Sequence, residues 1–342
     1  MMKPSISPSA NVRRTSDNIM DSAIFVAIDQ SKLIELATKI ENERRNSPDG
    51  NAFTSWDEHG WHYKGEPEQT ALYVLVLDAL NFCFWPSEKG ALQYDHLAIA
   101  LKTMCEGGDF RFSPAALAAM TVEELRAELD PLLPCPMPAI EERCRLLNEL
   151  GEGLTLFWEG SALKMIEAAN SSADSLVHII SRSFPGFRDT CVSPAGTQCY
   201  FYKRAQIAVA DLWAAFDHSH PCNFTDINKL TTFADYRVPQ LLRDLDVMVY
   251  NAELSNVVDG SCEILAGSLM ELEIRAATII CVDRLVEETK KLRGEEGEGD
   301  DGDGNDGGLS AIVMDWLLWQ QGEKKELAGQ MKPHHKVRTI FY

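Results

Sequence analysis

Lys203 and Arg204 follow Tyr200-Phe201-Tyr202 and open a stretch whose apolar residues, Tyr202, Ala205, Val209, Leu212 and Phe216, keep helical spacing. Cations at a helix start oppose the dipole. They are therefore either a solvated pair or a lysine or arginine placed to meet an anion beside free N–H groups. Asp235 sits between Phe233 and Tyr236 in the block Thr231-Thr232-Phe233-Ala234-Asp235-Tyr236-Arg237-Val238-Pro239-Gln240. Pro239 biases Val238 away from helix and suits the start of a new one, which makes this block a helix–turn–helix junction. An acid flanked by rings is a candidate for a raised pKa and for general-base work near neutrality. The same position equally suits a helix-capping aspartate. Asp315 interrupts an otherwise apolar helical stretch, with Trp316 and Trp319 supplying ring faces. It is either a pocket acid or an acid on an exposed face, the commoner case.

Other polar groups read as structural. Asp78 and Asn81 interrupt the most apolar run, Thr70 to Trp85, where buried polar groups must find partners. His59 and His62, with Asp57 and Glu58 adjoining, match no recognised ligand spacing and read as packing or surface histidines. A calcium loop starting at Asp301 would need glycine at 306 and glutamate at 312, where the chain has Asp306 and Ile312. No metal ligand set and no cofactor are expected. No P-loop, dinucleotide-binding, serine-hydrolase or zinc-protease motif occurs.

The 342 residues carry 52 Asp+Glu against 32 Lys+Arg, a formal charge of −20. So negative a surface, with no basic tract, argues against binding DNA or RNA directly, but leaves room for a small anionic ligand in one local positive pocket. The nine cysteines are an odd number, scattered and without a C-x-x-C pair, and read as free thiols of a reducing compartment. No run is long and apolar enough for a membrane span, and the first residues lack a secretory core. A cytoplasmic protein is expected, with organelle targeting through the Ser-rich start as the alternative.

These residues have to be positioned by elements that are mainly helical. Residues 1–20 read as a disordered leader, and 21–342 as one domain. Helical patterns cover about 23–45, 139–158, 173–184, 201–217, 237–246, 263–292 and 309–321, with a few short strands. Thr70 to Trp85 is buried strand or buried helix, which periodicity cannot separate. Ser113-Pro114 and Thr121-x-x-Glu124 are helix-start signals. Gly294 to Gly308 holds seven acids and no apolar residue, and reads as a disordered insertion between two helices.

Taken in order, DALNFCFW, SFPGFRD, FYKRAQI, TTFADYRVPQLL, EIRAATI, VMDWLLW and the terminal RTIFY resemble blocks of the queuosine salvage protein family. The resemblance runs from about Ile24 to Tyr342. Members of that family are queuosine 5′-phosphate N-glycosylases/hydrolases that recover the base queuine. The resemblance implies a mainly α fold related to helix-hairpin-helix DNA glycosylases. It also implies a small-molecule nucleotide substrate, with hydrolysis yielding queuine and ribose 5-phosphate. Carried over, Asp235 is the catalytic carboxylate and Lys203 its cationic partner, while Phe233, Tyr236, Asp315 and Trp316 match positions lining the base pocket. The family often has an acid where this chain has Gln320, which alters recognition of the amine-bearing side arm. Arg204, Arg237 and Arg275 are candidates for the 5′-phosphate. A non-catalytic carrier of queuine or a related nucleobase would use the same pocket, and only the hydrolase needs Asp235 for turnover. A DNA repair glycosylase conflicts with the net charge.

Overall fold

The computed structural model describes residues 7–46, 56–87, 92–107, 110–294 and 309–342. It is mainly helical. In chain order the first helices are α1 (Pro8–Met20), α2 (Gln30–Asn46), α3 (Pro67–Leu80), α4 (Tyr94–Glu106), α5 (Pro114–Ala119), α6 (Val122–Leu129) and α7 (Ile140–Trp158). They are followed by α8 (Ala162–Glu167), α9 (Ala173–Ser183), α10 (Lys203–Ala215), α11 (Arg237–Asp244), α12 (Ala252–Asp259), α13 (Leu269–Arg293) and α14 (Ala311–Leu327). The short strands are β1 (Val26–Ile28), β2 (Thr190–Val192), β3 (Gln198–Tyr200), β4 (Met248–Tyr250), β5 (Glu263–Ile264) and β6 (Lys336–Val337). No helix among the described residues is long and apolar enough to cross a membrane.

The chain forms two compact units. The first comprises Met1–Thr54, Thr190–Lys203 and Thr225–Arg338; the second comprises Ser55–Asp189, Arg204–Phe224 and Thr339–Tyr342. Each unit is assembled from segments far apart in sequence, so no linker composition marks the division.

In the first unit the 25-residue α13 is the spine, packed by α1, α2, α11 and α14. Its N-terminus is capped by Ser268, and it ends at Gly294 with φ +80°, a left-handed cap that a side chain would strain. β1 pairs antiparallel with β4, Val26 opposite Tyr250. Buried Glu273 of α13 accepts the backbone N–H groups of Phe25 and Val26 at 2.6 and 3.0 Å, fixing β1 to the spine. The helix expected over 23–45 therefore starts only at Gln30, because its first residues are used as strand.

The expected disordered leader is helical from Pro8. Ser7 caps α1, Val12 and Ser16 are fully buried, and Arg13 grips Asp283 of α13 at 2.8 and 3.1 Å. Small residues let α1 pack closely on α13 with little apolar content, which is why composition alone reads this segment as disordered. Residues 1–6 and the acidic stretch 295–308 lie outside the described residues.

In the second unit α3 resolves the Thr70–Trp85 ambiguity in favour of helix. Every residue from Thr70 to Leu80 is buried, so the run shows no amphipathic stripe. Gly151 of α7 lets α5 approach closely; a Cβ there would meet Pro114 O and Ala118 N at 2.4 Å. Ser113 and Thr121 cap α5 and α6 as their sequence signals indicate. The terminal Tyr342 carbonyl accepts from Cys83 N–H at 3.0 Å. Asp78 is buried, its backbone carbonyl accepts from Arg204, and its charge supports that guanidinium. His62 stacks on Trp56 at 3.9 Å and hydrogen-bonds Asp57 and Tyr94, a packing histidine.

Candidate active site

The site lies in the first unit, where the segment Thr231–Tyr236, the first residue of α10 and one face of α14 converge. Tyr202 takes a left-handed backbone, φ +51°, immediately before Lys203. Such a conformation costs on the order of 1 kcal/mol or more in a bulky residue and persists only when its surroundings hold it. Lys203 is buried, 4% exposed, and begins α10. Its ammonium lowers the pKa of both Asp235 and Asp315, which places one cation in the field of two carboxyls.

Asp235 is half-buried, and its Oδ1 accepts the N–H groups of Arg237 at 2.8 Å and Val238 at 3.2 Å. Asp235 thus satisfies the first two N–H groups of α11 and stands in the field of the lysine. The helix starts at Arg237, with Pro239 inside its first turn. Burial raises the Asp235 pKa, against the opposing pull of Lys203 and the two backbone donors.

Asp315 is 4% exposed, so the exposed-face reading of this residue is excluded. Its Oδ1 accepts from the Thr232 hydroxyl and from Phe233 N–H, the latter at 2.9 Å. Burial and the like charge of Asp235 push its pKa up to about 7, while Thr232, Phe233 and Lys203 oppose the rise. Two carboxyls with raised pKa values around a buried lysine form the kind of perturbed cluster that marks functional sites.

Aromatic groups flank the cluster. Tyr236 is half-buried and packs on His334 with ring centroids 4.6 Å apart. Trp316 and Gln320, one turn apart on α14, are half-buried. Phe233 is only 1% exposed, so its ring is interior packing and its backbone N–H is the part that serves Asp315.

The three arginines expected to hold phosphate have interior roles. Arg204 belongs to the second unit, is 0% exposed, and donates to the carbonyls of Asp78, Ala79 and Gly186. Burial holds its pKa down to about 10. It does not fit a phosphate ligand, because it is shut off from solvent and its two terminal nitrogens already donate to backbone carbonyls. Arg237 pairs with Glu323 at 2.5 Å and Glu326 at 3.3 Å and donates to Gln240 at 2.6 Å, so a phosphate there would meet two carboxylates. Arg275 donates to Ala234 O at 3.2 Å, and its guanidinium lies 4.0 Å over the Phe201 ring. One guanidinium therefore ties together the two segments that carry Lys203 and Asp235, a positioning role.

Sequence reasoning assigned no role to Thr232, His334, Glu323 or Glu326. Thr232 stood in the quoted block, and a hydroxyl beside an acid-bearing turn was the available signal. The others become meaningful only through contacts the sequence does not show. Among the described residues no group of three or more His, Cys, Asp or Glu is placed to hold a metal.

The family model for queuosine salvage protein matches residues 61–342. A Dictyostelium discoideum protein named queuosine 5′-phosphate N-glycosylase/hydrolase is 40% identical over 275 residues, covering 80% of this chain and 79% of its own length. Proteins of the same name from Sphaerobacter thermophilus and Bos taurus are 35% and 32% identical, covering 97% and 83% of this chain and 97% and 85% of their own lengths. With the matched region spanning the cluster of Lys203, Asp235 and Asp315, the chain belongs to the queuosine salvage protein family.

Proposed function

We propose that the chain hydrolyses the N-glycosidic bond of queuosine 5′-monophosphate, releasing queuine and ribose 5-phosphate. The observation that carries this reading is the pair of carboxyls, Asp235 and Asp315, around buried Lys203. Breaking the bond develops oxocarbenium charge on the ribose, which a carboxylate stabilises directly or by activating water. Asp235 takes that role. Its two backbone donors fix the carboxyl in place, and burial raises its basicity.

A 7-deazapurine has carbon where guanine has N7, so the usual protonation point of the leaving base is missing. The leaving group needs a donor to another atom, and the ammonium of Lys203 supplies it. The side arm of the base carries a cationic amine, for which the buried Asp315 carboxylate is the counter-charge. Tyr236 and Trp316 offer flat faces to the base, and Gln320 gives a neutral polar contact where relatives of this family often place an acid. The 5′-phosphate ligands lie outside the set Arg204 and Arg237, given the partners those residues already hold.

The test is incubation of purified protein with queuosine 5′-monophosphate, followed by mass spectrometry for free queuine. Release at catalytic turnover is the expected result. Binding without release in any condition would replace the hydrolase by a carrier.

A further inference from the structure

Cys191 of β2 stands directly opposite Cys199 of β3 in an antiparallel ladder, and both thiols are free. Next to the turn, Ser193 N–H donates to Thr197 O at 2.8 Å. Ladder alternation then makes Cys191 and Cys199 a hydrogen-bonded pair as well, and such residues have Cα atoms about 5.5 Å apart. That separation lies inside the span a disulfide bridges. Directly opposite residues of a ladder project from the same face, so both thiols lie on one side of the hairpin, where the Cys199 thiol donates to the Thr197 carbonyl at 3.5 Å.

Access to the two differs. Cys199 is buried in a cluster with Phe201 and Ala234, whereas Cys191 is half-exposed at its edge. The neighbouring Cys191 thiol and the Ser193 N–H, opposed by burial, hold the Cys199 thiol down to about 7. Cys199 and burial push the Cys191 thiol well up, so near neutrality the pair carries its thiolate on Cys199 beside a protonated Cys191.

We propose that Cys191 and Cys199 form a reversible thiol–disulfide site for low-molecular-weight disulfides of the glutathione type, whose closure slows the chemistry at Lys203. The Cys199 thiolate takes the proton of the accessible Cys191, whose sulfur attacks one sulfur of the reagent and expels the other as a thiolate. Cys199 gives its proton to that leaving thiolate and attacks the mixed disulfide, releasing the second thiol as the internal bond closes. Two protein thiols are oxidised and one external disulfide is reduced to two thiols. The consequence for the site follows from packing: Phe201 leads into Lys203, and Ala234 precedes Asp235. Drawing Cys199 toward Cys191 disturbs both neighbours, and misplacement by about 1 Å at an active site costs up to about 100-fold in rate.

Trypsin cleavage after Arg188 and Lys203 leaves both cysteines in the single peptide Asp189–Lys203. Full-length protein is equilibrated against graded ratios of oxidised to reduced glutathione, alkylated and digested. The expected product is that peptide lighter by two hydrogens and protected from alkylation, reverting on reduction and absent from Cys191→Ser and Cys199→Ala. Full alkylation of both thiols at the most oxidising ratio would overturn the site. The activity arm rests on the proposed hydrolase reading: oxidised wild type should lose rate severalfold and regain it with dithiothreitol, while Cys191→Ser stays insensitive. An oxidised peptide with an unchanged rate would overturn the coupling. Failure of the reduced protein to release queuine would instead count against the hydrolase reading and leave the mass result standing.

Discussion

The carboxylate of Asp235 and the backbone N–H of Arg237 are joined by a 2.8 Å hydrogen bond that makes the proposed catalytic group also the cap of the following helix. Capping and the proposed catalysis are thereby combined, since the hydrogen bonds that satisfy α11's first N–H groups also fix the carboxyl orientation. The arrangement has a cost: the donors lower a pKa that burial raises, so basicity is a compromise between placement and strength.

Substitutions at Asp235 should separate the two roles. Asp235→Ala removes the cap and should destabilise the protein by about 1 kcal/mol. Asp235→Asn keeps an oxygen acceptor for Arg237 and Val238 and should melt close to wild type. Thermal denaturation of both variants checks this, and equal losses would show that the capping bonds carry no stability.

The pH dependence should report Asp315. Its carboxyl ionises at about 7 in the folded protein. If its charge pairs with the substrate's amine, kcat/KM should rise with pH through about 7, and Asp315→Asn should abolish that inflection. The stability effect has the opposite slope. The folded state holds the Asp315 proton more tightly than the unfolded chain, whose value is near the ordinary 3.8. This group's contribution is therefore full below about 4 and lost as pH rises through about 7. Denaturant titrations of wild type and Asp315→Asn between those limits measure the difference, which should grow as the pH falls.

Thr232→Val keeps the side-chain shape and removes the hydroxyl that donates to Asp315. Losing a hydrogen bond to the charged form raises a carboxyl pKa. The kcat/KM inflection should therefore move to higher pH, by an amount a pH–rate profile resolves. An unmoved inflection would mean that the profile reports another group.

Arg204→Met should act on stability and spare phosphate recognition. It leaves the carbonyls of Asp78, Ala79 and Gly186 without their donor in a fully buried position. Breaking such a buried charged network typically costs about 3–5 kcal/mol. The ratio of kcat/KM for the nucleotide to that for the unphosphorylated nucleoside should stay at the wild-type value. A collapse of that ratio would restore Arg204 as a phosphate ligand.

Much of the helical architecture was legible because it depends on local signals. The caps at Ser113 and Thr121 and the limits of α7 and α9 follow from residues within a turn or two. Features set by distant partners were not legible. Val12 and Arg13 become structural only against α13 and Asp283, so the leader looked disordered. The residue pattern left Asp315 open between pocket and exposed face because Thr232 and Phe233, its donors, lie more than eighty residues earlier in the chain. The arginines were chosen for charge, and their burial on carbonyls and carboxylates depends on the fold. Asp235, Lys203 and Asp315 were named together through the family resemblance, since no spacing rule links them. The helix-hairpin-helix kinship likewise rests on that resemblance.

The central claim is that the Asp235 charge performs the chemistry, and single-turnover hydrolysis of queuosine 5′-monophosphate by Asp235→Asn tests it most directly. General-base loss alone is worth about 10²–10⁴ in rate, and loss of electrostatic stabilisation adds to it. The account predicts a rate at least about 100-fold below wild type. Substrate affinity, measured by calorimetry on the same preparation, should be retained or improved, because a charge that favours the transition state need not favour the ground state. Hydrolysis by Asp235→Asn at the wild-type rate would contradict the account and leave Asp235 with helix capping as its role.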